Sequence, residues 1–342
     1  MLGSLALNVG CTPLSEVPVE THDIASISPS DQAACDPLSG LTPRLSRRRH
    51  AIYGGARPEP EDPVVRSTVG LFSKSDPDGE FAYIDGSATL ISPTVAVGAA
   101  HTCELFQPMF AMVGVKVPYE TEMTFEERYV ADPLGSIALV DRCEMHPDFD
   151  ESHDRPNDLA LFYLSHPPLG SAPAAILDPT DPLPKYITIA GYGAHEGQFD
   201  RWWEDVEPFD LRRVDSFISA HYPSRGLFKD GPNQGRGSCQ GDSGGPIYIR
   251  LPALKEGALL EEEQTDSRAG DRDEDQRITQ AQEAILLGSV VMGPECDVGI
   301  GFNTEIRQYL DWIKEQPEVE VRLVSWVDDK GDQESEVLRC PE

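Results

Sequence analysis

The chain has 342 residues, 39% of them hydrophobic and 25% charged, a composition that sustains a packed core and excludes wholesale disorder, a collagen-like repeat or a coiled coil. Its 28 Lys and Arg against 59 Asp and Glu give a formal charge of -31, which repels a polyanionic backbone and argues against nucleic-acid binding. That charge reads most simply as a solvated surface; a saline habitat and a preference for cationic substrates are the sharper alternatives.

In chain order, Met1 to Cys11 is apolar but shorter than the ~18 residues of a membrane-spanning helix. It reads as the tail of a signal peptide without its basic n-region, or as an apolar stub. Its end, Val9-Gly10-Cys11, resembles a bacterial lipobox with Asn8 where that motif usually has Leu, and would put a lipid on Cys11. Residues 12–51 read as a propeptide or tether, rich in Ser, Pro, Thr and acid and closing on the basic patch Arg47-Arg48-Arg49. Composition shifts at Ile52, where the main domain (52–315) is expected to begin.

Short apolar runs then recur at all-β spacing: Ser87–Ser92, Val95–Gly98, Ser136–Val140, Leu159–Leu164 and Ile187–Ala190. The Pro-rich stretch from Pro167 to Pro184 splits them into two halves, as expected if each half closes into a barrel and so removes its edges. Residues 253–284 read as a solvated acidic insertion, after which Ile285–Met292 resumes the strand pattern. Thr304–Lys314 reads as an amphipathic helix capped by Thr304, and 316–342 as an acidic C-terminal extension. Seven cysteines (Cys11, Cys35, Cys103, Cys143, Cys239, Cys296, Cys340) lack any C-x-x-C spacing. They point to disulfides and a secreted or cell-envelope location, periplasmic or as an outer-membrane lipoprotein. The odd count leaves at least one outside an intramolecular pair, which a lipidated Cys11 would explain.

Three separated motifs carry the chemistry: Ala99-Ala100-His101, Asn157-Asp158-Leu159-Ala160-Leu161 and Cys239-Gln240-Gly241-Asp242-Ser243-Gly244-Gly245-Pro246. In this order, His then Asp then Ser, they resemble the trypsin/chymotrypsin family of serine peptidases, over roughly Ile52 to Lys314; a secreted bacterial member is the expectation. The resemblance implies an all-β fold of two six-stranded antiparallel β-barrels, with the active site in the cleft between them, plus a C-terminal helix. It implies a serine endopeptidase in which Ser243 is the nucleophile, His101 the general base and then acid, and Asp158 the group that orients the imidazole. The backbone N–H groups of Gly241 and Ser243 would form the oxyanion hole. Polypeptides are the implied substrates, with no metal or organic cofactor required and no membrane contact beyond a lipid on Cys11.

The same resemblance makes Ile52 the start of a mature enzyme whose freed amino group pairs with Asp242, so the chain reads as a zymogen needing an activating protease. Arg49 lies two residues too early for a direct tryptic cut at Ala51–Ile52. It pairs Cys239 with Cys296, and places Gly237 at the floor of the specificity pocket, Ser238 beside it, and Gly293 and Gly301 on its walls. No acid stands at Gly237, so an apolar rather than basic P1 residue is expected, with Glu295 and Asp297 at the rim. Thr102 and Gly86 stand where the family commonly has a disulfide, which leaves Cys143 the nearest partner for Cys103, and Cys35 with Cys340 for the remaining bridge. Val291-Met292 replaces the family's usual Ser-Trp, removing the serine that normally supports the catalytic Asp. The competing readings are a binding or scaffold protein on an inactive protease fold, and a structural lipoprotein whose acidic segments do the interacting. The first should have lost a triad member, and the second leaves the three motifs unexplained.

Overall fold

The computed structural model describes residues 52, 55–74, 82–104, 109–114, 135–151, 155–193, 210–233, 236–249, 284–292, 299–325, 337 and 340. The lipobox and propeptide expectations, with Cys11 and Cys35, fall outside these residues. So do Gly293, Glu295, Cys296 and Asp297, and the acidic insertion up to residue 283.

The first six strands are β1 (Thr68–Lys74), β2 (Ala82–Ser92), β3 (Val95–Gly98), β4 (Met109–Val113), β5 (Ile137–Met145) and β6 (Ala160–Leu164). They form a closed antiparallel barrel in the order β1-β2-β3-β6-β5-β4. The period-2 alternation of side chains explains why these strands look continuously apolar rather than half polar. Val69 and Leu71, Ala88 and Leu90, Met109 and Ala111, and Ala160 and Phe162 turn into one cluster that fills the barrel. Their neighbours Phe72, Val95, Val97, Phe110, Leu161 and Tyr163 face the other way, into a second cluster shared with Ala190, Tyr192, Tyr248 and Leu286. Both faces of these strands are therefore dry.

The second unit contains β7 (Ala175–Leu177), β8 (Tyr186–Gly191), β9 (Arg212–Tyr222), β10 (Leu227–Asp230), β11 (Pro246–Ile249), β12 (Ile285–Met292), β13 (Gly301–Glu305) and β14 (Leu323–Val324). Six of these, ordered β11-β8-β9-β10-β13-β12, close on themselves through β11–β12 pairing. Ile187, Ile189, Val214, Phe228, Ile247 and Val290 fill that barrel. The remaining two strands are added in parallel, Ile285 pairing with Ala175 and Leu323 with Ile176.

Three short helices complete the description: α1 (Pro63–Ser67), α2 (Ala100–Cys103) and α3 (Leu310–Glu315). The C-terminal helix is present but starts later than its amphipathic pattern suggests. Thr304 is not its cap. It is buried in β13, paired with Ser289, and a 3-10 turn over Ile306–Tyr309 precedes α3. A ladder position in a closed barrel satisfies the backbone on both sides, which outweighs the roughly 1 kcal/mol a side-chain cap supplies. Among the described residues beyond Gln316, several pack against the barrels. Leu323 and Val324 form β14, Ser92 Oγ accepts from Glu320 N at 2.7 Å, and Cys340 N donates to His221 O at 2.8 Å.

Candidate active site

The barrels meet where α2, the turn before β6 and the loop before β11 converge. His101 enters on α2, which follows β3 after the single residue Ala99, so the stiff barrel wall sets its position. Cys103 on the same helix is bonded to Cys143 on β5, tying α2 to the barrel at its far end.

Asp158 follows two residues held at positive φ, Arg155 at 40° and Asn157 at 57°. Asparagine tolerates this left-handed conformation better than most side chains, and here it is fastened on both sides. Its Nδ2 donates to Asp148 O at 2.9 Å, and its Oδ1 accepts from the Tyr309 hydroxyl at 3.2 Å. The turn so held aims a fully buried carboxylate at His101. Asp158 Oδ1 accepts from the His101 backbone N–H at 2.9 Å and Oδ2 lies 2.6 Å from His101 Nδ1. The imidazole side chain is 15% exposed and the carboxylate 0%, so the pair presents its histidine end to the cleft. Val291 supplies no hydroxyl, and among the described residues both carboxylate oxygens serve His101 alone. Support reaches Asp158 through its backbone instead, Thr304 Oγ1 donating to Asp158 O at 3.4 Å.

Ser243 is half-buried on a loop whose shape depends on two glycines. Gly241 has φ +87° and Gly244 φ +80°, where a side chain would be strained. An added Cβ on Gly244 would also lie 2.6 Å from Ala99 N, so the loop can approach the start of α2 only without one. The loop is pinned to the first barrel through Ser87, whose N–H donates to Ser243 O at 2.8 Å and whose hydroxyl donates to Gly241 O at 3.0 Å. The N–H groups of Asp242, Gly244 and Gly245 are spent on Cys239 O, Val290 O and Asp242 O. Those of Gly241 and Ser243 have no partner among the described residues.

Asp242 is completely buried, accepting from Gly193 N at 2.9 Å and Cys239 N at 2.8 Å. Burial raises its pKa to about 7 in spite of these two donors. Ile52 is also fully buried, within the apolar cluster of the second barrel.

Thr102 and Gly86 do face one another, an added Cβ on Gly86 lying 2.9 Å from Thr102 Oγ1 and 2.8 Å from Ser243 O. Cys103 pairs with Cys143, and Cys239 and Cys340 are both disulfide-bonded. Gly237, Ser238 and Gly301 come together: a Cβ on Gly301 would point at Ser238 Oγ, 3.4 Å away, and one on Gly237 at Gly299 Cα, 3.1 Å away. The same Gly301 vector meets Asp230 Oδ1 at 2.5 Å. The sequence reading weighed Gly237, Glu295 and Asp297 and did not name Asp230; a Lys-Asp pair closing a short run carries no signal of burial.

The family model for trypsin matches residues 82–255, just over half of the chain. Rat (Rattus norvegicus) tissue-type plasminogen activator is 27% identical over 258 residues, which cover 66% of this chain and 38% of that protein. The chain thus spans well under half the length of this relative. Among solved structures, that of neuropsin, a serine protease expressed in the limbic system of mouse brain, covers 76% of this chain and 97% of its own with a TM-score of 0.51 and 17% identity, a likeness of fold. With the family model and the double barrel in agreement, the chain belongs to the trypsin family of serine peptidases.

Proposed function

We propose that the protein is a serine endopeptidase that cleaves polypeptides through an acyl-enzyme on Ser243. The observation that carries this reading is the His101–Asp158 pair. With Nδ1 held against the buried carboxylate, the proton sits on Nδ1 and Nε2 is left as an acceptor for the serine hydroxyl. His101 takes the Ser243 proton as Oγ attacks the scissile carbonyl, and returns it to the leaving amine. The two uncommitted N–H groups of Gly241 and Ser243 receive the oxyanion. Water then repeats the cycle on the ester.

Residues 52–315 would form the peptidase unit, preceded by a propeptide. Activation at Ile52 is supported by the state of Asp242: a buried carboxyl with two N–H donors and a raised pKa is stabilised by a cation, and a new α-amino group at Ile52 would provide one. The cut at Ala51–Ile52 needs a protease that does not require a basic residue at that bond, or trimming after a cut at Arg49. The disulfides fit an oxidising compartment outside the cytosol; no helix among the described residues is long and apolar enough to cross a membrane. The missing acid at Gly237 supports an apolar rather than basic P1 residue.

The test is hydrolysis of peptide amides by protein cut at Ala51–Ile52, with Ser243→Ala lowering turnover by roughly a million-fold. Equal turnover by both proteins would refute the assignment.

A further inference from the structure

We propose that His146, which lies outside the triad, is a positioning residue: its ring holds both anchors of Asn157 and so fixes the aim of Asp158 at His101. This rests on the endopeptidase reading and adds to it a side chain that touches neither the substrate nor the reacting atoms.

Asn157 stands at φ 57°, a conformation that persists where the surroundings over-determine it. Its two anchors come from distant parts of the chain, the Asp148 carbonyl and the Tyr309 hydroxyl, and the His146 ring meets both of those residues. Nδ1 accepts from the Asp148 backbone N–H at 3.2 Å. The ring stands edge-on to Tyr309, 5.3 Å between centroids, and to Trp312 on α3 at 4.9 Å, the arrangement that ring quadrupoles favour. The main chain of the same residue closes the unit. His146 N donates to Leu159 O at 2.8 Å, and His146 O accepts from Phe149 N at 3.0 Å. His146 therefore sits where β5 ends, across the ladder from the Asp158 turn.

The protonation states are consistent with this role. A ring that accepts at Nδ1 carries its proton on Nε2, and burial pushes the His146 imidazole below its ordinary range against the opposing charge of Asp148. At pH 8 the ring is neutral and Nδ1 is free to accept. Burial, with the charges of Glu305 and Asp158 nearby, pushes the Tyr309 hydroxyl up to about 12, so it keeps the proton it donates to Asn157 Oδ1. The Asn157 amide thus has one orientation, Oδ1 towards a donor and Nδ2 towards an acceptor. What depends on it is the carboxylate of the next residue. Asp158 reaches His101 through both oxygens, at 2.9 and 2.6 Å, and a rotation of the turn would lengthen both contacts together. Val291 brings no hydroxyl to the carboxylate, so its restraint falls on the turn that His146 braces.

The test measures turnover per active site. Cut protein is assayed on a peptide amide at pH 8, its sites titrated with a fluorophosphonate and its folding checked by circular dichroism. His146→Phe keeps a ring and loses the Nδ1 acceptor; His146→Asn keeps an acceptor and loses the ring. Each should lower kcat per titrated site by about tenfold with KM within about twofold, short of the ~10²-fold that a misplacement of about 1 Å costs. A folded variant of either kind that loses less than about threefold in kcat, or loses only in KM, overturns the proposal, and either variant decides if the other does not fold. A second arm needs no turnover. In Ser243→Ala protein, the low-field proton resonance of His101 Nδ1–H reports its hydrogen bond to Asp158. Its displacement or broadening in the His146 variants supports the positioning role even if no peptide is cleaved. An unmoved resonance contradicts that role even if peptides are.

Discussion

The His101 imidazole has one free choice left to it. With Nδ1 at 2.6 Å from Asp158 Oδ2, exchanging that carboxylate for an amide would present an N–H where an acceptor is needed and favour the wrong tautomer. Asp158→Asn should therefore lower kcat by about 10⁴ with little change in fold, the size seen when the equivalent group is altered in the family that serves as the template for this chemistry. A loss of less than tenfold would mean that Asp158 does not orient the base. Asp242 titrates in the opposite sense from a salt-bridged acid. Its folded pKa of about 7 exceeds the ordinary carboxylate value of 3.8, so between those limits the uncut native state holds a proton that the unfolded chain has lost. Uncut protein should be destabilised by this group as pH climbs from about 4 to about 7, the effect being absent below and complete above. Asp242→Asn should flatten that part of the denaturation profile. An unchanged slope would show that the carboxyl is not desolvated as described.

Among the elements, α2 carries the largest mechanical responsibility for its size. It spans Ala100–Cys103 and has no side-chain cap, so its position comes from β3 before it and the Cys103–Cys143 bond behind it. The bond closes a span of 40 residues, and replacing both cysteines by serine should cost about 3–4 kcal/mol on the chain-entropy model. Chemical denaturation would measure this, and a change below 1 kcal/mol would show that the barrel alone holds the helix. The strands Val95–Gly98 and Ile285–Met292 were legible residue for residue, because apolar runs bounded by turn residues survive translation into a two-sided buried sheet. The short strands β7 and β14 were not, since two or three residues carry no periodicity. The start of α3 was misread for a related reason: Thr304 has the side chain of a cap, and only closure of the second barrel makes it a strand residue.

At the scale of the molecule, the two barrels act as a rigid frame that brings three distant motifs together. The order and spacing of those motifs made the fold readable from the chain, and the structure sets His101 against Asp158. The burial of Asp230 was not readable, because it is produced by β10 pairing with β9 and β13, a long-range arrangement that one residue's neighbours in sequence do not encode. The same holds for Ser87 and Tyr309, ordinary residues locally, which brace the Ser243 loop and the Asp158 turn across the frame. The central claim is that this frame makes one serine nucleophilic. Protein cut at Ala51–Ile52 should therefore be treated with a fluorophosphonate and the adduct located by intact mass and peptide mapping. The account predicts one adduct per chain, on Ser243, lost in His101→Ala; no adduct on Ser243, or labelling that survives His101→Ala unchanged, would contradict it.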